Sequence, residues 1–186
     1  MKDHVQGGMA YSEGIFNDID KVIVSQFYWN KDTTADATLR EYISYEYAPH
    51  IYDEVREAIR LIEKNHEIAS YGVGGKIAKV AADMDDARKA RQLLREVDGK
   101  LDMWARKAWR WRILLIRGEL DVLRFESTLE KKDSLTLQTN WTQAMKGCEA
   151  AKPFFTELIQ IYHSNLDYDP KTHPHYHYVR PMVMDI

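Results

Sequence analysis

One cysteine, Cys148, stands in 186 residues, so no disulfide can close within the chain. A lone cysteine is most often a small buried apolar residue. Proline is almost as scarce. The five prolines fall at 49, 153, 170, 174 and 181, three of them in the last seventeen residues. The body is therefore free to be helical and the tail is not. Long apolar runs are missing too: the greasiest stretch, Ile113 to Ile116, falls far short of the ~20 apolar residues of a membrane span. No charge of one sign prevails. Lys and Arg number 26 against 29 Asp and Glu, intermixed along the chain, and the net charge of −3 excludes the basic field of a nucleic-acid binder. Met1 to Gly8 lacks the apolar core of a signal peptide. There is no glycine-rich phosphate loop, no H-E-x-x-H, no G-x-S-x-G and no Cys–His signature, so motifs supply neither a catalytic residue nor a cofactor.

What is present is helical periodicity. The length suits one domain with a core of its own. A first helix is expected after Ser12, with Ile15, Phe16, Ile19, Val22, Ile23 and Phe27 at helical spacing. Thr33 or Thr34 is placed to cap a second helix carrying Leu39, Tyr42, Ile43 and Tyr47. Pro49 suits the first turn of a third, with Ile51, Val55, Ala58, Ile59 and Ile62. Gly72, Gly74 and Gly75 mark a loop. Asp83 to Val97 reads as a charged helix interrupted around Gly99.

The strongest signal follows. A seam at 101, 104, 108, 111, 115, 118, 122 and 125 alternates steps of three and four, and a second row runs through Trp109, Ile113, Ile116, Leu120 and Leu123. Together these rows cover about two-thirds of the helix circumference, so this helix must be enclosed by neighbours on several sides. Trp104, Trp109 and Trp111 fall in the pattern and are expected in the core. A further helix from about Leu135 to His163 should bend or restart at Pro153. The expected architecture is all-α: a multi-helix bundle around a long central helix (about 101–130), with an extended C-terminal tail. Residues 1–10 form a lead-in, 11–163 the bundle and 164–186 the tail packed on it.

Candidate functional residues are few. Arg112 and Glu119 project between the apolar rows, and the structural reading pairs them with each other or with adjacent helices, since isolated buried charge is costly. A sharper reading turns Arg112 toward an acidic ligand. Arg106, Arg110, Arg117, Asp121 and Arg124 share the opposite, polar arc. His173, His175 and His177 alternate in the tail, and imidazole suits zinc, copper or nickel. No nearby cysteine or acid cluster completes that set, so surface packing of the rings is favoured over a metal. Phe27, Tyr28 and Trp29 form an aromatic cluster that reads first as core or boundary packing at a helix end, and second as flat faces suited to a half-wet site such as a sugar cleft. Glu13, between Ser12 and Gly14, reads first as a helix-entrance acid favoured by the helix dipole.

The run Y-S-E-G-I-F-N-D-I-D-K at Tyr11 to Lys21 resembles the closing part of the barrel in bacterial glycoside-hydrolase-like proteins related to the alpha-glucuronidases. The aromatic segment Phe27 to Asn30, L-R-E-Y-x-x-Y-E-Y at Leu39 to Tyr47, W-R-W-R-I-L-L-I-R at Trp109 to Arg117 and Y-V-R-P at Tyr178 to Pro181 are similar to later parts of that family. The resemblance implies a non-catalytic C-terminal helical accessory domain of a carbohydrate-active protein. Such a domain supports a barrel, with Tyr11, Glu13, Tyr28 and Trp29 lining a sugar cleft, in a family that is typically exported. Its partners would be that barrel, a carbohydrate or a second copy, with neither nucleic acid nor membrane. The alternative is a stand-alone helical module that dimerises or binds a protein through the apolar face of its first helix.

Overall fold

The computed structural model describes residues 16–65, 83–126 and 134–163. Among them there are helices and no strands, an all-α bundle. The elements are α1 (Asp18–Trp29), α2 (Ala35–Glu46), a short 3₁₀ turn (Pro49–Ile51), α3 (Tyr52–Lys64), α4 (Met84–Lys100), α5 (Met103–Lys107), α6 (Trp109–Glu126) and α7 (Ser134–His163). The 1–10 lead-in, Gly72 to Gly75 and the 164–186 tail lie outside the described residues.

Local chemistry explains most of the boundaries. Thr34 caps α2, its hydroxyl accepting the Ala37 amide at 3.1 Å. Pro49 opens the 3₁₀ turn that leads into α3. Asp83 caps α4 through its side chain, which accepts from the Asp85 amide at 2.8 Å. Asn65 at the end of α3 exchanges two hydrogen bonds with the backbone of Asp83, at 3.1 and 2.9 Å, and so ties the end of one helix to the start of the next. Lys100 reaches back to Glu54 and Lys64 to Asp86, so α3 and α4 lie antiparallel.

The core has two parts, and α6 contributes to both. On one side Trp111 and Leu114 join Tyr42, Ile43 and Tyr47 of α2, Ile51, Val55, Ala58 and Ile59 of the 3₁₀ turn and α3, and Leu94 and Val97 of α4. On the other, Ile113, Ile116 and Leu120 meet Ala151, Leu158 and Ile159 of α7. A fully buried side chain of this size contributes about 1.5–3 kcal/mol, so the enclosure of α6 on two sides is where the fold is anchored. Gly118 lets α4 approach closely: a Cβ built there would lie 2.8 Å from Leu94 Cδ1.

Several expectations are corrected. The helix expected after Ser12 begins, within the described residues, at Asp18. The central helix does not run from 101. Ala108 is extended (φ −63°, ψ 133°), and this one residue separates the short α5 from α6; the expected 127–130 end of the central helix lies outside the described residues. Trp104 of α5 and Trp109, the first residue of α6, are expected in the core but are 60% and 43% exposed. Trp111 alone of the three is buried. Gly99 does not interrupt α4, which continues to Lys100. Pro153 lies inside α7, which runs uninterrupted from Ser134 to His163. Arg117 and Asp121, assigned to the polar arc, are enclosed and pair with each other at 2.9 Å.

Candidate functional site

Among the described residues a dense polar arrangement lies where α1, α2 and α6 meet. Asp18, in the first turn of α1, accepts from the Tyr42 hydroxyl at 2.6 Å and from Arg110 Nε at 2.9 Å. Arg110 also faces Glu46 at 3.5 Å, and its guanidinium lies 4.3 Å from the centre of the Trp109 ring. Behind Tyr42, the Tyr47 hydroxyl is 3.5 Å from that of Tyr42 and 3.4 Å from the Arg110 carbonyl, to which it donates. Burial, then the adjacent Tyr47 and the Asp18 hydrogen bond, push the Tyr42 pKa far above the usual phenol value. Burial raises Tyr47 as well, against the hydrogen bond to Tyr42, which acts to lower it. Burial acts to lower the Arg110 pKa, but the Asp18 and Glu46 carboxylates outweigh it, and the net direction is upward.

A second junction joins α4, α5 and α6. Asp98 accepts from Trp111 Nε1 and from Arg106, each at 2.8 Å. Burial acts to raise the Asp98 pKa, yet those two hydrogen bonds and the nearby guanidinium charges hold it below the usual carboxylate range. The two charges singled out on the central helix do not meet each other. Glu119 receives Arg95 of α4 at 2.5 and 2.8 Å, while Arg112 is joined to Glu157 of α7 at the same two distances. Each pair is a two-point fork joining α6 to a different neighbour.

Of the residues assigned to a sugar cleft, Tyr28 and Trp29 end α1 and are 40% and 88% exposed, while Tyr11 and Glu13 lie outside the described residues. His173, His175 and His177 lie outside them as well, and so does the Cys148 side chain. Among the described residues no group of three or more His, Cys, Asp or Glu is placed to hold a metal ion. No described helix is long and apolar enough to cross a membrane.

Periodicity passes over the Asp18 and Asp98 junctions, because it reports which face is apolar and not which polar tips meet. One signal was available: three tyrosines in Y-I-S-Y-E-Y, two of them on a buried face, carry hydroxyls that need partners. No protein-family model, no curated protein and no solved structure matches this chain.

Proposed function

We propose that this chain is a helical accessory domain of a carbohydrate-active, glycoside-hydrolase-like protein, packed through α1 against a barrel, with Tyr28 and Trp29 at a sugar cleft beside the junction. The motifs of Tyr11 to Lys21, Leu39 to Tyr47 and Trp109 to Arg117 are the lineage argument. The observation that carries the reading is α1 itself. Seven of its twelve residues, Ile19, Val22, Ile23, Val24, Phe27, Tyr28 and Trp29, are apolar or aromatic, and none of them is fully buried. Ile19 and Val22 lean on the main core, while Val24 and Tyr28, four residues apart and so on one face, are exposed. Among the described residues this apolar helix is covered on one side only, as in a domain whose other side belongs to a neighbour. The forked ion pairs that fasten α6 to α4 and α7 suit a rigid buttress.

Calorimetric titration with a panel of neutral and uronic-acid oligosaccharides tests the sugar contact. Binding that is lost in Trp29→Ala supports it, and the absence of binding to every sugar removes it. Light scattering on the same preparation tests the packing role. A defined dimer with α1 in a large interface, with no barrel encoded in frame on the 5′ side, replaces this reading with a self-association module. An in-frame barrel upstream supports it.

A further inference from the structure

Three aromatic rings, each in contact with the next, connect the centre of the bundle to the seam between α1 and α2. The Trp111 indole meets Tyr47 edge-on, with centroids 5.1 Å apart and planes at 71°. Tyr47 meets Tyr42 edge-on at 5.7 Å and 88°. All three residues are buried, Trp111 completely. Each end of the line has a carboxylate on the proton that oxidation would release. Trp111 Nε1 donates to Asp98 at 2.8 Å, and the Tyr42 hydroxyl donates to Asp18 at 2.6 Å.

Ring packing accounts for the apolar contacts, and the need to satisfy buried hydroxyls accounts for single hydrogen bonds. The combination allows more. Burial disfavours a phenolate at Tyr42, because it would place a second negative charge beside Asp18. Loss of an electron together with the proton avoids that penalty, since it leaves a neutral phenoxyl beside a neutral carboxylic acid. Arg110 then keeps its second acid, Glu46, at 3.5 Å.

We propose that Trp111, Tyr47 and Tyr42 form a conduit that moves a one-electron oxidising equivalent from the core to the α1–α2 seam, with Asp18 as the final proton acceptor. A radical-class oxidant at the protein surface takes one electron from Trp111, and the Nε1 proton moves to Asp98. One electron then passes from Tyr42 through the Tyr47 ring to the indolyl radical. The proton returns from Asp98 to Nε1, and the Tyr42 hydroxyl proton moves to Asp18. The oxidant is reduced by one electron and Tyr42 is oxidised by one. One proton changes place, and Trp111 and Asp98 end unchanged. The direction is set by chemistry: a phenol whose proton has an acceptor is easier to oxidise than an indole.

Laser flash-quench with a ruthenium polypyridyl photo-oxidant in solution tests this on the full-length chain carrying W29F, W104F, W109F and W141F, which leaves Trp111 as its one tryptophan. Indolyl and phenoxyl absorption are followed at two protein concentrations, so that only the concentration-independent phase is scored. This parent chain, in which every further variant is made, should show indolyl decay matched by phenoxyl rise. Tyr47→Phe, which keeps the ring and removes one hydroxyl, should leave that phase in place. Tyr42→Phe should abolish it, and Asp18→Asn should slow it about tenfold and reduce its solvent deuterium effect. Tyr45→Phe, at an 83% exposed position off the line, should change nothing. A phase that persists at full rate and yield in Tyr42→Phe, or one that vanishes in Tyr45→Phe, overturns the conduit. Circular dichroism establishes that each variant is folded. Should Tyr42→Phe fail that check, Asp18→Asn decides: an unchanged rate and isotope effect overturns the proposal.

Discussion

Arg112 on α6 grips Glu157 on α7 through both ends of its guanidinium fork, with Nε 2.5 Å from one carboxylate oxygen and a terminal nitrogen 2.8 Å from the other. The two side chains are 30% and 32% exposed, so water screens part of the attraction. Forked geometry places such a pair at the upper end of the range for exposed pairs, about 0.5–1 kcal/mol. Arg112→Ala and Glu157→Ala should each lower stability in urea, and the double-mutant cycle should return a coupling of about that size. A coupling of zero would mean that the contact between α6 and α7 rests on its apolar cluster, Ile113, Ile116 and Leu120 against Ala151, Leu158 and Ile159.

Gly118 tests how closely α4 and α6 approach. Alanine in a helix interior is favoured over glycine by about 1 kcal/mol, so an unconstrained site would gain from Gly118→Ala. Here the added methyl would meet Leu94 Cδ1 at 2.8 Å, and Leu94 is completely buried with little room to turn. Overpacking of this kind costs about 1–3 kcal/mol, and the net effect should be destabilisation by about 1 kcal/mol. In a Leu94→Ala background the sign should reverse, because the obstructing methyl is gone. A stabilising Gly118→Ala in the intact chain would show that the two helices have room to part.

Stability should fall at both ends of the pH scale. Asp98 is held below the ordinary aspartate value of 3.8, the hydrogen bonds from Arg106 and Trp111 overcoming the upward push of burial. Glu57 is held at about 2 by the Arg60 hydrogen bonds, assisted by Lys89 against slight desolvation. Both folded-state values lie below the unfolded ones, so the unfolded chain takes up protons first. Their stabilisation is complete above the free-carboxylate values of 3.8 and 4.5 and is lost as pH falls through the folded values. Tyr42 and Tyr47 have the opposite sign. Their folded values lie above 10.0, so their contribution is present below that pH and is lost as it rises. Thermal melts across the pH range should give a plateau with a fall on each side, and Asp98→Asn should flatten the acid limb. An acid limb unchanged in Asp98→Asn would place the acid sensitivity elsewhere.

Much of the bundle is legible in the sequence because apolar residues recur with the helical period. Ile51, Val55, Ala58 and Ile59 belong to one face, and that face is buried. The break at Ala108 is not legible. Alanine is a strong helix former, and Trp, Arg and Lys around it fit a continuous period, so nothing local announces an extended residue. Leu101 and Asp102 are extended as well, so Trp104 stands on a five-residue helix cut off at both ends, and Trp109 is the first residue of α6. Partner choice is hidden for a different reason. Arg112 and Glu157 are 45 residues apart, and Asp18 and Arg110 are 92 apart, distances over which spacing carries no information. Two of the four candidate sugar-cleft residues belong to an aromatic run, Phe27 to Trp29. Its two exposed members, Tyr28 and Trp29, have their place at the end of α1, and the two acid and phenol positions before it lie outside the described residues.

Arg117 and Asp121 show how an enclosed helix handles charge. They lie one turn apart on α6, 2.9 Å from nitrogen to oxygen, and are 6% and 3% exposed. The guanidinium also sits 5.4 Å from the centre of the Phe16 ring. Removing both charges from water is costly, and their attraction returns much of that cost only while both are present. Asp121→Ala strips the carboxylate from a buried guanidinium and should destabilise by about 3–5 kcal/mol. Arg117→Met with Asp121→Leu removes both charges and should be close to neutral, or stabilising by a few kcal/mol at most. Urea midpoints at constant m-value separate the two outcomes. A single variant costing less than about 1 kcal/mol would mean that water or another group holds the guanidinium once the carboxylate is gone. A double variant as damaging as the single would mean that the pair holds α6 in a position that apolar packing cannot maintain.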